Sequence, residues 1–156
     1  MKWLKLTAFT FLFTTIALLS CKKESYLVLH EYTGSYLPMT GAQEVPAVTT
    51  TAGGNITATY SQFTKILTYK IQWGGLSGNA IAAHIHGTGA AGVVAGVYQS
   101  FSGFPAVAAG SYSGSVLIDG VKLTELQLLA GEYYINIHTA ANTGGEIRGQ
   151  LNLVKQ

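Results

Sequence analysis

The chain has 156 residues, of which only 10% are charged, and carries a formal net charge of +2. So slight a basic balance argues against partners held by charge, nucleic acid or an acidic membrane patch among them. Its single cysteine excludes an intrachain disulfide framework.

Lys2 and Lys5 make a positive head, Leu6 to Leu19 is an uncharged apolar run, and Leu18-Leu19-Ser20-Cys21 closes it with a small residue before cysteine. This is the pattern of a secretion signal rather than of a retained membrane helix. It resembles a bacterial lipoprotein signal, in which residues 1–20 are removed and Cys21 becomes the lipidated first residue. The alternative is an ordinary cleaved signal with an incidental Cys21. Several acyl chains on one residue would anchor the protein firmly, where one alone holds marginally. Loss of Lys2 and Lys5 leaves seven basic against seven acidic residues, a neutral mature chain. Lys22 follows the cysteine where an aspartate would suggest inner-membrane retention, which leans the expectation towards the outer membrane, periplasmic or surface-exposed. Residues 21–36 are expected to be a tether. Within it Tyr26-Leu27-Val28-Leu29 is apolar enough for an edge strand, and His30 falls outside any pattern.

Residues 37–156 are expected to form one domain, about 120 residues and large enough to bury a core without disulfides. Short alternating segments punctuated by glycine predict strands over 53–61, 66–73, 80–86, 93–99, 111–119, 132–138 and 146–154. Leu67, Tyr69, Ile71 and Trp73 share one face of the second. About seven or eight such strands with short connections predict an all-β, antiparallel Greek-key sandwich or barrel. One short connector helix is expected over Leu123–Gly131. Thr124 and Gln127 are spaced as a capping box, Leu123 and Leu128 as a hydrophobic staple, and Gly131 supplies the stop. The 87–92 loop is glycine-rich but lacks the Lys-Ser/Thr ending of a phosphate loop. Phe101-Ser102-Gly103-Phe104-Pro105 is the surface-contact candidate, because two phenylalanines in a Gly/Pro loop have no evident core duty.

The chemistry concentrates in Ala83-His84-Ile85-His86-Gly87 and in Tyr134-Ile135-Asn136-Ile137-His138-Thr139, the latter followed by Gly145-Glu146-Ile147-Arg148-Gly149-Gln150. On a strand successive side chains alternate faces. His84 and His86 therefore point one way, and Ile81, Ala83 and Ile85 the other. Tyr134, Asn136 and His138 share the face opposite Ile135 and Ile137, and Glu146 and Arg148 share one with Gln150.

These motifs resemble the CHRD domain, the chordin-type domain, in that family's order. Thr40-Gly41-Ala42-Gln43-Glu44-Val45-Pro46 is similar to its opening element, the His-x-His-x-Gly strand to its centre, and residues 126–150 to its close. Ala47 and Asn142-Thr143-Gly144 depart where prolines are usual. The resemblance implies an extracytoplasmic β domain of poorly defined biochemical role. A remoter likeness to the copper/zinc superoxide dismutase sandwich, which also has a His-x-His strand, is one of fold and does not transfer function.

Two expectations compete for the histidines. In the first, Glu44, His84, His86, His138, Glu146 and Arg148 form a structural polar network inside a non-catalytic binding or structural module, whose partner is a protein or glycan met through the loops. In the second, His84, His86 and His138 ligate copper or zinc. A dismutase-like enzyme is the weakest reading. With His30 in the tether the chain has too few histidines for two metals, and it shows neither a readable Ser-His-Asp set nor a paired-carboxylate motif.

Overall fold

Beyond its first 27 residues, the chain forms nine strands and a short helix in the computed structural model, which describes residues 28–156. The expected signal, Cys21 and the first part of the tether lie outside the described residues. The strands are β1 (Glu31–Thr40), β2 (Gly53–Ser61), β3 (Ile66–Gly74), β4 (Ala80–His86), β5 (Val97–Ser100), β6 (Gly110–Leu117), β7 (Tyr134–Thr139), β8 (Ile147–Gln150) and β9 (Val154–Lys155). The helix, α1, spans Glu125–Leu129, and a 3-10 turn at Gly41–Gln43 follows β1.

Every pairing is antiparallel, in the order β5-β4-β7-β8-β1-β2-β3-β6, with β9 adding to β1. Strand β4 with β7, and β8 with β1, are neighbours in space but not in sequence. The chain must cross over between them, as a Greek key requires. The curled sheet encloses one core, in which Ile56, Tyr60, Leu67 and Ile71 from β2 and β3 cluster with Ala83, Ile85, Ile135, Ile137 and Ile147. The expected all-β sandwich or barrel is present.

Loop 101–109 joins the two sheet ends. Phe101 N donates to Ala83 O, and its ring stacks on Tyr69 and Tyr112 at centroid distances of 5.0 and 5.2 Å. Phe104 stacks on Trp73 at 4.7 Å. Phe101 is only 8% exposed. The expectation of a surface-contact loop is therefore corrected: its aromatic rings plug the gap between the sheet's free edges, where burial is worth more than display.

The helix signals act as read, with one relay added. Thr124 Oγ1 accepts from Gln127 N, and Leu123 and Leu128 are buried in the core. Thr124 N donates to Tyr133 OH, which in turn donates to Gln127 Oε1, so a tyrosine closes the capping box. The Glu125 carboxylate accepts from Tyr60 OH and Lys65 Nζ, both at 2.6 Å, pinning the helix to the β2–β3 hairpin.

Other boundaries move. Val28 and Leu29 are not in a strand, while Glu31 to Tyr36, expected in the tether, are already part of β1. His30 joins the sheet by its backbone, through N to Gln62 Oε1 and O from Gln62 N. Ile81 is 59% exposed, because the β4–β7 register shifts between Ala80 and Ala82 and turns it outward. Val93 and Val94 lie in a loop before β5. The last expected strand is two, β8 pairing with β7 and β1, and β9 pairing with β1 further along.

Candidate functional site

Register lays the polar residues out in rows across β4, β7 and β8. One row reads His86, Tyr134, Gln150; the next reads His84, Asn136, Arg148. His138 stands opposite Ala82, and Glu146 N bonds Ile137 O just before β8 begins. The other face of the same strands is the apolar core, so β7 and β8 are buried at every position.

Two loops roof this polar layer with backbone carbonyls. In loop 87–96, Gly89 O accepts from Gln150 Nε2, Ala90 O and Val93 O from Arg148, and Ala95 O from His86 Nδ1. In loop 140–146, Thr143 O accepts from His138 Nδ1 and Gly144 O from Asn136 Nδ2. Buried donors need such partners, and a glycine- and alanine-rich loop can bring its backbone close enough to supply them.

The three histidines converge, offering ligand nitrogens that all lie within 4.8 Å of one another. His84 Nδ1 is 3.0 Å from His138 Nε2, which is 2.9 Å from Asn136 Oδ1. The His86 ring stacks on Tyr134 at 4.8 Å, and its Nε2 is buried with no hydrogen-bond partner among the described residues. Burial, with His138 and His86 close by, pushes His84 down to about 4. Burial also lowers His138, against a partial rise from its bond to Thr143 O. At neutral pH these two rings are uncharged and present lone pairs.

Arg148 is 1% exposed and held by carbonyls. Nη1 donates to Val93 O at 2.9 Å, and Nη2 to Ala90 O at 3.2 Å and Gln150 Oε1 at 3.0 Å. Its guanidinium lies 3.4 Å from the Tyr134 ring centroid, a cation–π contact that helps hold a desolvated charge. Glu146 is fully buried and accepts from Thr50 Oγ1, Ser77 N, Ser77 Oγ and Thr139 Oγ1 at 2.6–2.9 Å. Burial alone would raise its pKa, but these donors outweigh it and hold the group down at about 2. Glu44 enters just after the 3-10 turn. Burial pushes it up to about 7, with Arg148 and Asn136 pulling partly back, and its Oε1 has no hydrogen-bond partner among the described residues.

The six sequence-predicted residues thus share one layer but not one network. His84, His86 and His138 come together; Glu44 reaches them through Asn136; Glu146 and Arg148 bond elsewhere. Asn136, Tyr134 and Gln150 complete the layer, and Ser77, Thr139 and Thr50 surround the Glu146 carboxylate. Alternation along β7 had put Tyr134 and Asn136 on the histidine face, which was the available signal for both.

The opening, central and closing elements that build this layer match a model of the CHRD domain over residues 36–151, well over half of the chain. The chain belongs to the CHRD domain family. No curated protein and no solved structure matches it. Family membership supports, at most, a non-enzymatic module of extracellular type. In this CHRD domain the polar layer meets the surface at a cleft of about 280 Å³ lined by Glu44, Val45, Pro46, Val48 and residues 141–145. Loop 140–146 therefore has His138 and Asn136 bonded to its carbonyls and the cleft among its outer neighbours.

Proposed function

We propose that this CHRD domain is a lipid-anchored, non-catalytic display module of a bacterial cell envelope, with its roofing loops as the contact surface. The carrying observation is the way loop 87–96 is held. Arg148, Gln150, His86 and Tyr134 all spend polar groups on its backbone, yet Val93 and Val94 are 49% and 65% exposed. A loop fixed from beneath presents its outer side chains with little ordering left to lose on binding. Exposed aliphatic groups suit a protein partner, since they offer a glycan neither stacking nor hydrogen bonds. The anchor reading rests on the Lys2/Lys5 head, the Leu6–Leu19 run and Cys21.

The test is fractionation of cells expressing the full chain in medium with labelled palmitate. The expected result is label and protein together in the membrane fraction, the outer membrane in a two-membrane host. Cys21→Ser should lose the label and leave the membranes. Labelled, membrane-bound Cys21→Ser protein would overturn the anchor.

A further inference from the structure

We propose that His84 Nδ1, His86 Nε2 and His138 Nε2, together with the Asn136 amide oxygen, form a binding site for a zinc- or copper-type transition-metal ion. It depends neither on the anchor at Cys21 nor on a partner at loop 87–96.

Hydrogen bonding fixes which nitrogens are free. His86 Nδ1 and His138 Nδ1 each lie 2.9 Å from a backbone carbonyl, Ala95 O and Thr143 O. A carbonyl only accepts, so both Nδ1 atoms carry the proton, and in a neutral ring each Nε2 is then a lone pair. Metal-ligating imidazoles are held in this way, one nitrogen donating to a carbonyl or carboxylate and the other facing the ion.

The His86 lone pair has no partner among the described residues, and the His138 one has only His84 Nδ1, 3.0 Å away, as a possible donor. His86 Nε2 is buried and unbonded among the described residues, in a side chain only 7% exposed. His138 Nε2 faces Asn136 Oδ1 at 2.9 Å, another acceptor. Turning the amide over does not relieve this. Its NH₂ end donates to Gly144 O at 3.4 Å, a bond that turning the amide over would replace with two facing oxygens. An acceptor facing an acceptor at this distance calls for a proton or a cation. A proton on His138 Nε2 would make a buried imidazolium with His84 and His86 beside it. His138 is only 7% exposed, and burying a charge without an anionic partner is costly. A metal ion would satisfy the two acceptors and the orphaned His86 nitrogen together.

The donor set fits that class. Imidazole suits zinc and copper, and three neutral nitrogens with one amide oxygen make four donors. The 2.9 and 3.0 Å separations around His138 Nε2 are those of ligands about 2.0–2.1 Å from one ion at roughly right angles. The widest separation, up to 4.8 Å, is larger than the roughly 4.2 Å that two opposite ligands at that radius span. Binding therefore requires that separation to contract by about 0.6 Å for opposite ligands and by about 1.4 Å for tetrahedral ones, through side-chain rotation.

The experiment titrates the full-length chain, purified in detergent and stripped with chelator, with Zn(II) by calorimetry. A parallel arm uses Cu(I) against a chromogenic competitor. One equivalent should bind in at least one arm and raise the melting temperature, the rise saturating at that equivalent. His86→Ala and His138→Ala should each weaken binding about 100-fold or more, beyond the usual effect of removing an outer-layer partner. Should either fail to fold by circular dichroism, His84→Ala, at a half-buried position, carries the test. Asn136→Asp should tighten binding by adding an anionic oxygen. The absence of saturable binding of either ion at about 100 µM, a weak-affinity ceiling, would overturn the proposal. So would binding unchanged in the histidine variants, which would place the ion at His30 or Cys21, or a nitrogen NMR spectrum showing a proton on His138 Nε2 in the metal-exposed protein. None of these outcomes touches the palmitate result.

Discussion

The β2–β3–β6 half of the sheet and the β4–β7–β8 half use the same alternation of apolar and polar residues for different ends. Along β3, buried and exposed positions alternate from Ile66 to Trp73, and water serves the outer groups. Along β7 and β8 no position is exposed, because loops cover the polar side. On the first half a polar side chain is an unconstrained solvent contact. On the second it must find every partner within the protein, where a missing partner leaves a desolvated group unsatisfied. Polar substitutions should therefore be severe under the roof and nearly silent on β3.

Arg148→Ala should give the largest effect. It removes the side-chain donor to Val93 O, leaves Ala90 O with Val93 N alone, frees Gln150 Oε1, and opens a void where a fully buried side chain stood. The expected loss is about 4 kcal/mol, read as a lowered urea midpoint. Loop 87–96 should also become protease-sensitive. A loss below about 1 kcal/mol would mean that the roof is held by something other than Arg148 and would break the comparison at its strongest point.

Two carboxylates sharpen it from within the roofed half. Glu146 has four donors and ionises at about 2 rather than the ordinary 4.5, whereas Glu44 has an oxygen without a partner and ionises at about 7. The signs of their pH effects are opposite. Glu146 contributes fully above pH 4.5, and that contribution drains away as pH falls through about 2. Glu44 favours the fold in its protonated form, so its contribution is complete below pH 4.5 and lost as pH rises through about 7. Glu146→Gln should then cost roughly 3 kcal/mol at neutral pH and flatten the acid limb of the stability profile. Glu44→Gln should be more stable than the parent above pH 7, by on the order of 2 kcal/mol, and converge with it below pH 4.5. Urea midpoints across pH 2–9 measure both. Parallel profiles for the two variants would mean that hydrogen-bond satisfaction does not separate these groups.

Much of this was legible in the chain. Alternation put His84 and His86 on one face and Tyr134, Asn136 and His138 on another, and pairing of β4 with β7 brings the two sets together. The helix was legible from Thr124, Gln127 and Gly131 because capping is local chemistry. The roof was not, since its contacts are backbone carbonyls of Gly89, Ala90, Val93 and Ala95, and carbonyls carry no residue signature. Alternation also cannot tell water from a covering loop. For that reason Glu146 and Arg148 looked like partners for the histidines when their own partners are Ser77, Thr139 and loop 87–96. Phe101 was misplaced for a related reason: a Gly/Pro loop looks like surface until a gap between sheet edges gives its aromatic rings somewhere to go.

The smallest effect is expected at Lys70, in the middle of β3. It lies opposite Thr57 on β2 and Ser113 on β6, on the outer face of the sheet and exposed to solvent. Its neighbours Thr68 and Gln72 on that face are exposed as well, so no covering segment depends on it. Lys70→Ala removes a solvated charge and exchanges one strand residue for another of modest β propensity, a change of within about 0.5 kcal/mol. Lys70 and Arg148 are both cations on outward-facing positions of central strands, so strand geometry alone predicts similar consequences for losing them. Urea midpoints for the two alanine variants in one buffer isolate the contribution of the roof. A Lys70→Ala loss approaching that of Arg148→Ala would show that strand position, rather than the covering loop, sets the sensitivity of this sheet.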